Sequence, residues 1–208
     1  MDTSPTVVTW RSILIGLFLL TLNVYWVTVT EMKYRAEATA LPIFLYPVFI
    51  LFCLVVSNYL LSKFWSSIQL LPSELLTIYA MLVVSTSIAS YGMLQDLFAL
   101  IVHPYWFATE ENEWKELFFH YIPSWFTPEP TETILTEYYQ GNSSFYQKKH
   151  LSAWLKPILV WTGFTLVLLF MFHCLNTLVR KQWVHTERLA FPIIQLLIAM
   201  LQSPNEAS

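Results

Sequence analysis

Apolar residues come in long blocks along this chain rather than in the short alternations of a soluble fold. A helix that crosses a membrane needs about 20 mostly apolar residues, because the hydrocarbon layer is roughly 30 Å thick and each residue adds about 1.5 Å. Four blocks reach that length. The first, SILIGLFLLTLNVYWVTVT, runs from Ser12 to Thr30, with Trp10 and Trp26 where interfacial aromatics sit. Its flank holds Asp2 and Arg11 and no small-residue cleavage pattern follows, which predicts a retained anchor, a secretory signal peptide being the alternative. The second, LPIFLYPVFILFCLVVSNYLL, spans Leu41 to Leu61; Pro42 suits a first helical turn and Pro47 bends the early helix. The third opens at PSELLTIYAMLVV, with Ser73 as N-cap and Glu74 at the positive end of the helix dipole, and continues to Val102. The fourth, LKPILVWTGFTLVLLFMFHCLNTL, covers Leu155 to Leu178 and is closed by Arg180 and Lys181. A last apolar piece, Leu189 to Leu201, is too short to span and contains Pro192, which predicts a re-entrant or interfacial segment or the start of a helix that is cut off.

Between the third and fourth blocks, Pro104 to Trp154 is long for a connection without structure of its own. In FATEENEWKELFFHYIPSW, Thr109 is placed to cap a helix with Glu110, Glu111 and Glu113 in its first turn and Trp114, Leu117, Phe118 and Tyr121 on one apolar face. TETILTEYYQG predicts a second short helix stopped by Gly141, with Pro123, Pro128 and Pro130 separating the two. Such a loop either folds as a cap on the outer mouth of the helices or lies in the membrane interface. The expected fold class is therefore all-α and polytopic, with about four transmembrane helices, a short C-terminal apolar segment and an aromatic-rich external loop. It divides into 1–103, 104–154 and 155–208.

Composition agrees with the block pattern. The 208 residues are 56% hydrophobic and only 12% charged, with a mean hydropathy of +0.51, which excludes an ordinary soluble domain and makes the lipid bilayer the first partner. A formal charge of −3 leaves no basic stripe, so nucleic acid is not an expected partner. Cys53 and Cys174 lie inside apolar runs, where a thiol reads as a small buried hydrophobe. With the N-terminus in the cytoplasm, Arg11, Lys63, Arg180, Lys181 and Arg188 fall inside. Lys33, Arg35, Lys115, Lys148, Lys149 and Lys156 then fall outside, but those on the long loop weigh little. The count favours both termini cytoplasmic, although Lys33 and Arg35 argue the other way.

Polar residues inside spans are the candidate chemistry. An ionised carboxylate at mid-bilayer costs roughly 2.5–3.5 kcal/mol, so it faces a bundle interior, a cavity or a partner. Asp96, next to Gln95, is the leading candidate. A full span counted from Ser73 ends near Gly92, however, which leaves the alternative of an interfacial Asp that caps or pairs locally. A helix broken at Gly92 would expose backbone beside Asp96 and Gln95, an arrangement used at transporter sites. His173 and Asn176, three apart on the fourth span, share a face and could line the same polar interior. Asn23 and Asn58 read as interhelical hydrogen bonds. Ser85 with Ala89, and Thr86 with Ser90, are small-residue pairs four apart that predict a helix-packing seam.

Motifs for enzymes, phosphate loops and metal sites are missing, so no catalytic residue, cofactor or metal ligand is expected. Glu116 and His120, four apart, are only two ligands and read as a surface pair. The sequon at Asn142 matters only in a glycosylating compartment.

Three stretches, LLPSELLTIYAMLVVSTSIASYGMLQDL, HPYWFATEENEWKELFFHYIPSWFTP and LVRKQWVHTERLAFPIIQL, resemble the N-terminal part of an uncharacterised family of prokaryotic multi-spanning, permease-like membrane proteins. A likeness to oligopeptide-transporter-type permeases is more distant. The resemblance covers most of the chain from Leu70 onward and implies a prokaryotic inner (plasma) membrane and a role in moving an unidentified small solute. It names no substrate. Because such proteins continue through more helices, it also implies a subunit or first portion of a permease that works by homo-oligomerising or by docking on a complementary membrane chain. The other class left open is a non-transporting structural or accessory subunit. RKQWVHTERLAFP, with Arg180, Lys181, Trp183 and Arg188, reads as a cytoplasmic membrane boundary in either case. Glu187 with Arg188 as a gating ion pair, and His185 as a proton sensor, are further options there.

Overall fold

The computed structural model describes residues 8–35, 45–64, 69–187, 195 and 198–200. Every regular element among them is helical: α1 (Trp10–Tyr34), α2 (Leu45–Phe64), α3 (Pro72–Ala89), α4 (Leu94–Trp106), α5 (Trp114–Leu117), a 3-10 turn (Phe119–Tyr121), α6 (Glu132–Gln140) and α7 (Lys148–Lys181), which runs into a π turn (Gln182–Thr186). Among the described residues, three stretches are long and apolar enough to cross a membrane: Trp10–Tyr34, Pro72–Trp106 and Lys148–Val184. The expected second span is represented by a shorter apolar helix, Leu45–Leu61, and its first residues, 41–44, lie outside the described residues. So does most of the expected C-terminal segment 189–201.

The residues form two compact units that divide between Asp96 and Leu97, within α4. The first is organised on α1 and α3. Ser12, Gly16, Asn23, Val27 and Glu31 are the buried positions of α1, spaced by four or seven, and they face the row Ile78, Leu82, Ser85, Ala89 of α3, spaced by three and four, while Leu75 packs on Leu51 of α2. This near-heptad spacing keeps one stripe of each helix turned inward. Gly16 allows the close approach, since a Cβ there would stand 2.6 Å from Met81 Sδ. The opposite faces carry exposed Leu14, Leu17, Phe18, Leu22 and Tyr25, the pattern of a helix solvated by lipid. Cys53 and Cys174 are likewise exposed, not buried as expected, each on the apolar surface of its helix.

Helix ends have local causes. Thr9 caps α1, its hydroxyl accepting from the Ser12 N–H at 3.2 Å. At α3 the cap is not Ser73: Leu71 precedes the helix, Pro72 takes the first position, and Glu74 reaches back to the Leu71 N–H at 2.9 Å. Asn58 of α2 holds the backbone of Leu70 from both sides, donating to its carbonyl at 2.9 Å and accepting from its N–H at 2.7 Å, so this polar residue fixes a connection and not a second helix.

In the second unit the long loop is folded against α4 and α7. Ile101 and Val102 of α4, Leu135 of α6 and Trp154 of α7 form its core. Trp106 stacks on Tyr139 at 4.7 Å, and Trp161 donates its indole N–H to the Phe126 carbonyl at 3.0 Å. α6 has the expected bounds, with Thr131 as cap and Gly141 at φ +75° as stop. The helix expected from Thr109 is shorter. Thr109 and Asn112 instead bond each other's backbone N–H groups in a turn, and Glu113 takes φ +50°, so helix begins only at Trp114. Glu116 and His120 consequently sit on different elements and share no helix face.

Candidate functional site

The interior polar residues of the first unit lie on the α1–α3 seam at three levels. At the start of α1, the Thr9 hydroxyl donates to Glu74 Oε1 at 2.5 Å. Halfway along, Asn23, fully buried, donates from Nδ2 to Thr86 Oγ1 at 2.7 Å and, more weakly, to Ser85 Oγ at 3.5 Å. At the far end Glu31, 1% exposed, accepts on Oε2 from the Tyr91 N–H at 3.1 Å and from Gln95 Nε2 at 2.9 Å. Asn23 and Glu31 are eight residues apart, so both fall on the buried stripe.

The third level coincides with an interruption in the helix. Ser90 is extended and Gly92 has φ +86°, which ends α3 and lets the chain restart as α4. Gln95 spans the gap, donating to the Ala89 carbonyl at 2.8 Å as well as to Glu31. Asp96, half-buried in the first turn of α4, accepts from the Gly92 N–H at 2.9 Å. That contact satisfies a donor at a helix N-terminus, where a carboxylate is favoured. Asp96 thus caps locally, and the carboxylate at the polar centre is Glu31.

The expected residues are therefore brought together only in part. Gln95 and Asp96 meet at the break. Ser85, Thr86, Ala89 and Ser90 are all buried, and the first two receive Asn23. His173 and Asn176 belong to the second unit and stand exposed on α7, while the hydrogen bonds of Gln95 and Asp96 are made within the first. Sequence reading missed Glu31 because it adjoins Lys33 and Arg35 at the end of a span and passes for an interfacial charge. Its spacing of eight from Asn23 was the available signal. Among the described residues, Asn23 Oδ1 and Gln95 Oε1 have no hydrogen-bond partner, and no three His, Cys, Asp or Glu side chains gather closely enough to hold a metal ion.

A family model described as a family of unknown function, DUF6785, matches residues 2–208. The chain belongs to that family. Comparison with curated proteins and with solved structures finds no match. Within DUF6785, then, this chain presents a helical unit whose polar groups converge on a broken, membrane-length helix.

Proposed function

We propose that this DUF6785 chain is an integral, permease-like module of a prokaryotic plasma membrane, N-terminus cytoplasmic, that helps move a small solute as part of a larger helical assembly. One observation carries the reading. A carboxylate, Glu31, is buried in a lipid-crossing helix beside a second helix that is interrupted at the same level. A carboxylate buried among protein groups is kept where it is bonded or where it serves a path or a partner, and interrupted helices present backbone groups to solutes. In this proposal Glu31 and Gln95 face the path, Asp96 maintains the break, and His173 with Asn176 form the polar side of α7.

Cysteine accessibility tests this without knowing the solute. In a background of Cys53→Ser and Cys174→Ser, Thr86→Cys and Ser90→Cys are exposed in membrane vesicles to a charged, membrane-impermeant thiol reagent from either side. Labelling at Ser90→Cys, at the break beside Gln95, is expected of a path reached by water, with Thr86→Cys as the more deeply enclosed position. Protection of both positions under all conditions leaves a sealed structural seam and overturns the proposal.

A second reading, a non-transporting accessory subunit, is favoured by α7: residues 166–178 are exposed or half-exposed throughout, and His173 and Asn176 lie among them. Polar side chains on such a face are best accommodated against another membrane helix.

A further inference from the structure

The second unit holds a cavity of about 450 Å³ that neither the seam nor the transport proposal uses. Its walls come from α4, α6, the 141–147 loop and the first turns of α7, with rings of Phe98, Tyr138, Phe145 and Trp154. The polar side is made by Glu137 and His150. Trp154 is buried and forms the floor, stacked on Tyr138 at 5.5 Å and met by Phe98 at 60° and 5.9 Å. Tyr138 is fixed from behind, its hydroxyl donating to the Phe98 carbonyl at 3.1 Å. At the mouth the rings of Tyr138 and Phe145 remain 39% and 46% exposed, so two aromatic groups are free to meet a ligand.

Charge narrows the ligand class. Glu137 is ionised and bonded to both Lys149 and His150, and hydrogen bonds from Lys149 first and His150 second hold its carboxyl below the usual range. Lys149 and His150 are both engaged by Glu137, so the cavity, lined mainly by aromatic rings, offers an anion little to bind. A carboxylate already matched by a lysine is a poor host for a small, strongly hydrated metal cation. What remains attractive is the negative face of the rings, which favours a large, weakly hydrated cation. The cavity also grades from polar to apolar along α7, from His150 through Trp154 to Ile158, over about 12 Å.

The geometry points to a binding site for an alkylammonium group, held between Tyr138 and Phe145 over the Trp154 floor with Glu137 alongside. Both a lipid headgroup and a free solute of choline or betaine type carry that chemistry. The inference is independent of the transport proposal.

The test uses the full chain in maltoside micelles, which contain no ammonium group. Tetramethylammonium chloride is titrated and its methyl resonance followed by saturation-transfer NMR, with sodium chloride at equal ionic strength as reference. Saturable binding is expected, and Phe145→Leu, which removes an exposed ring in contact only with Tyr146 among the described aromatic pairs, is expected to weaken it about 2- to 5-fold. Glu137→Gln, which removes a carboxylate already matched by Lys149, is expected to weaken it less than Phe145→Leu does. Signal that does not saturate, that sodium chloride displaces equally well, or that Phe145→Leu leaves unchanged overturns the proposal. So does saturation by methyl glucoside in place of tetramethylammonium, which would make the cavity a sugar site. Given saturable binding, displacement by choline lipids in nanodiscs assigns the headgroup as ligand, and displacement by free choline alone assigns the solute.

Discussion

The Asn23–Thr86 contact lets the seam be weighed directly. Nδ2 lies 2.7 Å from Thr86 Oγ1, and both residues are fully buried. Hydrogen bonds between membrane helices average about 0.6 kcal/mol and reach about 1.7, because in the unfolded-in-lipid state the groups find other partners. A short contact between two wholly enclosed groups belongs in the upper half of that range, so about 1–1.7 kcal/mol is expected, or about 5- to 18-fold in the unfolding equilibrium. Asn23→Ala alone mixes this with lost packing and with removal of Oδ1, which has no partner among the described residues. Thr86→Val keeps the shape and removes only the hydroxyl. A double-mutant cycle of the two, read by reversible unfolding in mixed micelles with far-UV circular dichroism, isolates the pair. A coupling energy of about 1 kcal/mol or more is expected. A value under about 0.3 kcal/mol, the ordinary scatter of independent sites, would mean that packing alone holds α1 to α3 and that the polar ladder carries no energy at this level.

Three further outcomes follow from the geometry. Gly16→Ala is expected to cost under about 1 kcal/mol, because the flexible thioether end of Met81 can swing aside, whereas Gly16→Ile should cost about 1–3 kcal/mol or more in the same unfolding assay. Gly141→Ala, at φ +75° and ψ −148° with no atom within 4 Å of the new Cβ, is expected to cost about 1–3 kcal/mol from backbone strain alone and to raise hydrogen exchange in α6; unchanged exchange would refute the glycine-dependent stop. Glu137 has a lowered pKa, so its contribution is complete above its ordinary value of 4.5 and is lost as pH falls through the lower folded value. Thermal unfolding measured from pH 7 down to the acid limit should show a steeper decline below about pH 4.5 than the Glu137→Gln variant shows, and parallel curves would remove the Glu137 clamp as a source of stability.

What the sequence made legible was whatever depends on local chemistry or on block length. α6 could be bounded because Thr131 and Gly141 act locally, one through its hydroxyl and the other through its backbone, and the third span could be suspected of breaking because Gly92 stands where the apolar count runs out. The small residues Ser85, Thr86, Ala89 and Ser90 could be assigned to packing because their spacing already placed them on neighbouring faces. Pairing across helices was not legible. Asp96 draws attention as a charge in an apolar run, yet one contact to the Gly92 N–H, four residues away, explains it. Glu31 looks like one more charge near Lys33, and only the α1–α3 register turns it inward. The Thr109 helix failed for a different reason: Asn112 offers the backbone a competing turn, a choice that composition leaves open.

α7 is 34 residues long, about 51 Å, against a hydrocarbon layer of roughly 30 Å. That length exceeds a single crossing by about 20 Å, and Pro157 inside the helix separates a first part, which carries His150 and Trp154 to the aromatic cavity, from the longer apolar part that follows. A helix cannot stretch, so a bilayer that thickens or thins must be met by tilt or by sliding. The wall of the aromatic cavity and the longest apolar stretch of the second unit are thus two parts of one helix.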